Sequence, residues 1–216
     1  MYFNYLKKYF LWIFSILVNS FGNFLLIKSN MGSGPWIAAS MGIAKSSHLQ
    51  IGVCTIILNF LIYIPIIIIS KKFNFLKLCG SFFVARFLDF FLNLFDWFTL
   101  ENIFLRIIIF LIGDTVLSAG ISVYLRLNIA MNPFDQFLQT VNEFLIPDMK
   151  KANLVYLGVP LILALAFGIY NGFDFTGIGF GTLFMFLLNG VFIKFFHKKI
   201  PISIEILSPR RYIQKH

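Results

Sequence analysis

Six long apolar runs separated by short polar or basic breaks dominate the chain, at residues 9–27, 51–70, 75–98, 103–125, 154–170 and 177–196. Each is close to the about 20 residues a helix needs to cross a ~30 Å hydrocarbon layer. A helix is also the open-chain element that satisfies its own backbone there. The pattern therefore predicts an all-α polytopic membrane protein with six transmembrane helices. The breaks are uneven: those after the first and fourth runs are 23 and 28 residues long and contain proline, and the others are short.

Composition agrees with the pattern. Apolar residues make up 59% of the 216 and charged residues 12%, too few charges to cover 29 Phe in water. A soluble fold is excluded, and residues 1–216 read as one membrane domain. The net charge of +9 would point to nucleic acid in a soluble chain. Here the basic residues lie between apolar runs, as in cytoplasmic loops, and no nucleic-acid partner is expected. With the N-terminus inside, fourteen of the eighteen Lys and Arg fall in inside segments and only Lys28, Lys45 and Arg106 fall outside. Both termini are accordingly expected in the cytoplasm, with residues 197–216 as a basic tail. Lys7 and Lys8 precede the first run as in a signal peptide, but the run is long and no small-residue cleavage site follows, so it is expected to remain as a signal anchor.

The chain carries a faint internal repeat. An offset of 98 lays Gly22 on Gly120, Lys28 on Arg126, Asn30 on Asn128, Gly32 on Ala130, Pro35 on Pro133 and Trp36 on Phe134. An offset of 101 lays Gly80-Ser81 on Gly181-Thr182. Repeat one is read as 9–98 and repeat two as 103–196. Three spans per repeat is odd, so the second half begins on the opposite side and the halves are inverted. Inverted repeats are a signature of secondary transporters, which bind substrate near the midplane where the repeats meet.

After the first span of each half, Gly and Pro break the chain before a short amphiphilic stretch, residues 36–43 and 136–145. Proline suits the first helical turn. Helices of about ten residues cannot span the bilayer, so each is either interfacial or re-entrant. If re-entrant, their N-termini aim free N–H groups at a shared centre. Within the spans, Arg86 and Asp89 have the spacing of a helical ion pair, whether as a bundle lock or as part of an ion site, and Asp114 is the candidate for cation or proton coupling. Arg106 is close enough to a span end to snorkel. Gly177, Gly179 and Gly181 are expected to permit close contact or local unwinding. Cys54 and Cys79 read as packing residues, and His48, His197 and His216 are scattered, so no metal or cofactor is expected. No nucleophile–base or metalloprotease constellation appears, and no enzymatic activity is expected.

The paired segments Gly34-Pro35-Trp36 and Asn132-Pro133-Phe134-Asp135, each following a basic residue and an Asn, give the chain its resemblance to the YczE/YyaS/YitT family of bacterial integral membrane proteins. The resemblance implies six helices and a bacterial cell-membrane location, and it supplies no substrate. Ile37 stands where the first-half acid of that pattern is expected, leaving Asp135 alone. The candidate substrate site comprises Lys28, Asn30, Gly32, Pro35, Trp36, Arg126, Asn128, Pro133, Phe134 and Asp135, with Arg86, Asp89 and Asp114 as coupling or ion-pair residues. The expected function is a transporter or permease-like protein for a small solute or ion. The alternative is a non-transporting module acting as a regulatory or substrate-binding subunit, with a homo-oligomer or membrane partner beside the lipid bilayer.

Overall fold

A computed structural model describes residues 2–71, 73, 75–127, 129 and 132–200. They form eight α-helices, with no strand among the described residues: α1 Tyr2–Ser29, α2 Pro35–Ser47, α3 Ile51–Ser70, α4 Phe75–Leu94, α5 Ile103–Leu127, α6 Pro133–Thr140, α7 Met149–Tyr170 and α8 Phe180–Lys199. One π-helical turn, Val141–Leu145, follows α6. Five helices are long and apolar enough to cross a membrane: the Leu6–Ser29 part of α1, then α3, α5, the Lys151–Tyr170 part of α7, and α8. The third expected span, α4, is helical over 20 residues, but Lys77, Arg86 and Asp89 lower its apolar character. Large apolar side chains cover the outside, with Phe104, Ile162, Leu187 and Val191 each more than 60% exposed. A lipid-facing surface requires that arrangement and an aqueous one does not tolerate it.

The core is an antiparallel crossing of α1 and α5, made close by glycine. A Cβ on Gly22 would lie 2.5–2.8 Å from the backbone and Cβ of Leu117, and one on Gly120 would lie 2.7–3.0 Å from Asn19 and the Ser15 carbonyl. Gly113 lies in the same way against Leu25 and Leu26. In an apolar solvent helices gain little from hydrophobic burial, so close backbone approach across small residues carries the association.

Helix α4 packs along α1 in the same direction through Phe21, Phe24 and Phe91, with Phe95 just past its end against Phe24. Helix α8 accompanies α5, with Phe110 against Phe184 and Ser118 donating to Asn189 Oδ1 at 3.0 Å. Ser20 ties α1 to α4, its hydroxyl donating to the Val84 carbonyl at 2.9 Å.

Helix α1 ends where Asn30 turns into the left-handed region, φ 50°. The Arg106 guanidinium donates to the carbonyls of Ser29, at 2.9 Å, and Asn30, at 3.3 Å. A cation at a helix C-terminus satisfies carbonyls that have no partner within the helix. Arg106 therefore caps α1, where its sequence position predicted only snorkelling.

Candidate functional site

The two short helices begin inside the bundle. After α1 the chain turns back, and its backbone pairs with the segment preceding α8: Gly181 N–H donates to the Met31 carbonyl at 2.7 Å, and Ser33 N–H to the Gly177 carbonyl at 2.9 Å. Gly32, φ 109°, is essential to this approach, because a Cβ there would meet Thr182 and the Gly179 nitrogen within 3 Å. Gly177 and Gly179 thus lie in an unwound, closely approached stretch with Gly181 in the first turn beyond it, and α8 starts at Phe180 rather than at Gly177.

From Pro35, α2 runs beside α7 in the same direction. Trp36 lies near Tyr156, Gly42 lies against Ala164 and Phe167, and Asn171 donates to the Gly42 carbonyl at 2.9 Å. Lys45 closes the far end with a salt bridge to Asp174. Tyr156 precedes the end of α7 by fourteen residues, about 21 Å at ~1.5 Å per residue. The N-terminus of α2 is therefore deep in the bundle and its C-terminus is level with the end of α7.

Helix α6 meets it there. The rings of Trp36 and Phe134 stack with centroids 4.2 Å apart and planes 10° from parallel. Phe137 stands edge-on to Trp36. Both members of the stack are about 95% buried, and Ala38, Ala39, Leu58 and Ala164 complete the cluster. At the N-terminus of α6, Asn132 Oδ1 accepts from Phe134 N–H and from the Ser81 hydroxyl, each at 3.3 Å. Asp135, in the first turn, is favoured there by the positive end of the helix. Its carboxylate accepts from the Tyr124 hydroxyl of α5 and from the Tyr156 hydroxyl of α7. Those two hydroxyls are its donors in a place closed to water, where a buried charge needs such partners. A carboxylate, two phenols and a stacked indole–phenyl pair thus occupy one central locus drawn from α2, α5, α6 and α7.

The profile of a family of unknown function, DUF6198, matches residues 6–198. The chain belongs to that family. It is also 28% identical over 194 residues to the "Uncharacterized protein YyaS" of Bacillus subtilis (strain 168), a match covering 88% of this chain and 92% of that one. The resemblance carried by the paired Pro-aromatic segments is therefore borne out. No solved structure matches.

Within this family member, the residues expected to form one substrate site separate into groups. Pro35, Trp36, Pro133 and Phe134 lie around the stack, and Asp135 lies beside it against Tyr124, three residues from the end of α5. Gly32 lies against the start of α8. Lys28 and Asn30 stay at the C-terminal end of α1, where Lys28 donates to the Asp96 carbonyl at 3.0 Å. Arg126 is at the opposite end of the bundle, donating to the Ile200 carbonyl. Asn128 lies outside the described residues.

Arg86 and Asp89 do not form the expected pair. Asp89 Oδ1 accepts from the Gly52 N–H at 2.7 Å and so caps α3 from a neighbouring helix, while Arg86 is exposed, its guanidinium 5.9 Å from the centre of the Phe82 ring. Asp114 is fully buried on α5.

Sequence reasoning missed Tyr124 and Tyr156. Nothing in their spacing ties them to Asp135. The available signal was general: a tyrosine inside an apolar span needs a partner for its hydroxyl.

Proposed function

We propose that the chain is a bacterial cell-membrane transport protein for a small solute or ion, caught with its centre closed. In this reading α1, α3, α4, α5, α7 and α8 all span, both termini are cytoplasmic, and α2 and α6 are re-entrant helices of two inverted halves. Exchange of contacts supports the duplication. At the offset of 98, Gly22 corresponds to Gly120 and Asn19 to Leu117, so the contacts Gly22–Leu117 and Gly120–Asn19 interchange. Ser20 and Ser118 correspond as well, and each bonds the last helix of its own half. The observation that carries the reading is that the equivalent residues Trp36 and Phe134 stack upon each other at the start of both short helices. Helices that begin in the middle of a bundle, at the junction of inverted halves, are how transporters build midplane sites. The central locus then serves as the gate and first binding point, with Asp135 as its charged group.

The alternative, a non-transporting membrane module, draws support from two observations. The 4.2 Å stack closes the gap between the starts of the short helices. Arg86 is exposed at the twelfth of the 20 residues of α4, and an outward-facing arginine at such depth is costly in lipid but not against a partner.

Vesicles reconstituted with the purified chain and presented with panels of inorganic ions, amino acids and small metabolites decide between them. The transport reading expects flux of at least one class, at least tenfold reduced in Asp135→Asn. No flux of any class, together with co-purification of a stoichiometric membrane partner, would replace it with the second reading.

A further inference from the structure

Asp114 is fully buried in the middle of α5, and neither of its carboxylate oxygens has a hydrogen-bond partner among the described residues. It lies one turn from Phe110 on one side and one turn from Ser118 on the other, along the stripe of α5 that faces α8. Phe110 and Leu117, with Leu26 of α1 and Met185 of α8, form an apolar cluster around that stripe. Ser118, the nearest polar neighbour along the stripe, is bonded to Asn189.

No counter-charge is within reach among the described residues. Between Trp12 and Ile27 α1 has no titratable side chain, and neither does α8 between Phe180 and Ile193. On α5 itself Arg106 is two turns away and engaged with the Ser29 and Asn30 carbonyls, and Tyr124 is nearly three turns away and engaged with Asp135. An ionised carboxylate in such a place would lose its hydration and gain nothing in return.

We propose that Asp114 is a proton-binding site, occupied in this closed arrangement, so that α5 carries a neutral acid beneath α8. A metal cation does not fit the same place. Divalent ions of the hard class take about six to eight oxygens, and the stripe offers the two of Asp114 beside a serine and an asparagine already bonded to each other. Release of the proton requires water or a cation to reach the carboxyl, which means parting α8 from the α1–α5 pair. Protonation of Asp114 and closure of that interface are therefore linked. The inference needs only that α5 lie in the membrane, and it holds whether or not the chain moves a solute.

Infrared spectra and carbodiimide labelling of the full chain in lipid vesicles at neutral pH test it. The spectra are expected to contain a protonated-carboxyl carbonyl band that is lost in Asp114→Asn and displaced in Asp114→Glu. A hydrophobic carbodiimide, which attacks protonated carboxyls, is expected to modify Asp114 in the unaltered protein, as mapped on its peptides, with no change on adding sodium or potassium. Absence of a protonated-carboxyl band from the unaltered protein, or a band indifferent to both substitutions, would overturn the proposal. Protection by sodium or potassium would overturn it in favour of a metal-cation site. The spectrum of the unaltered protein and the sodium and potassium comparison need no variant, so a substitution that fails to fold leaves the test intact.

Discussion

Gly22→Leu is expected to abolish recovery of folded protein from membranes, and Gly120→Leu to do the same. Helices α1 and α5 touch backbone to backbone at these two positions, where even a single Cβ would come within 3 Å of Leu117 or of Asn19 and Ser15. Because the obstructing atoms belong largely to the backbone of a packed helix, no rotamer change relieves the clash. The whole crossing must widen, taking with it the contacts of α4 on α1 and α8 on α5. Alanine at either position should still fold, at a cost of about 1–3 kcal/mol, the range for overpacking a filled interior. Gly158 and Gly190 supply the control, since a Cβ there meets nothing within 4 Å. Alanine at those helical positions should be neutral or stabilising by up to about 1 kcal/mol, from helix propensity alone. Size-exclusion profiles and thermal unfolding in detergent read all six variants. Equal effects at crossing and control glycines would refute the close packing of α1 on α5.

Removal of the central stack is the next largest effect. Trp36→Ala and Phe134→Ala each delete a buried aromatic ring, and each should cost about 3–5 kcal/mol, as for large-to-small changes in packed cores. The double variant should cost less than the two singles combined, by about 0.5–1.5 kcal/mol, the coupling typical of an aromatic pair beyond its area. Strict additivity in a denaturant-unfolding cycle would mean that the rings do not meet.

The legibility of the chain followed its physics. Apolar runs are long in a membrane protein, so the helices were readable within a few residues. Pro35 marked the start of the first short helix, since proline is tolerated at a first turn whose N–H groups lack intrahelical partners anyway, whereas the second starts at Pro133, three residues before the expected 136. Gly22 and Gly120 were visible as a repeated pair, but their reason, a backbone contact across the crossing, was not, because one sequence position does not name its partner.

The grouping of Lys28 with Arg126 failed for a reason inherent in the inverted-repeat reading itself. Inversion sends equivalent residues to opposite sides of the membrane, and only those beside the axis relating the halves can meet. In that reading Trp36 and Phe134 are such residues; the two cations, at the C-terminal ends of antiparallel helices, are not. Asp89 was misassigned because the i,i+3 rule considers one helix alone, while its nearest donor, the Gly52 N–H, belongs to another.

The central claim is that the two halves face opposite ways, so that α2 and α6 return to opposite sides of the membrane. Single cysteines in a chain lacking Cys54 and Cys79, at the exposed residues Leu49, just after α2, and Leu145, just after α6, test this with a membrane-impermeant maleimide. In vesicles of known orientation, Leu49→Cys should react only from the external side and Leu145→Cys only from the cytoplasmic side. Reaction of both from the same side would contradict the account.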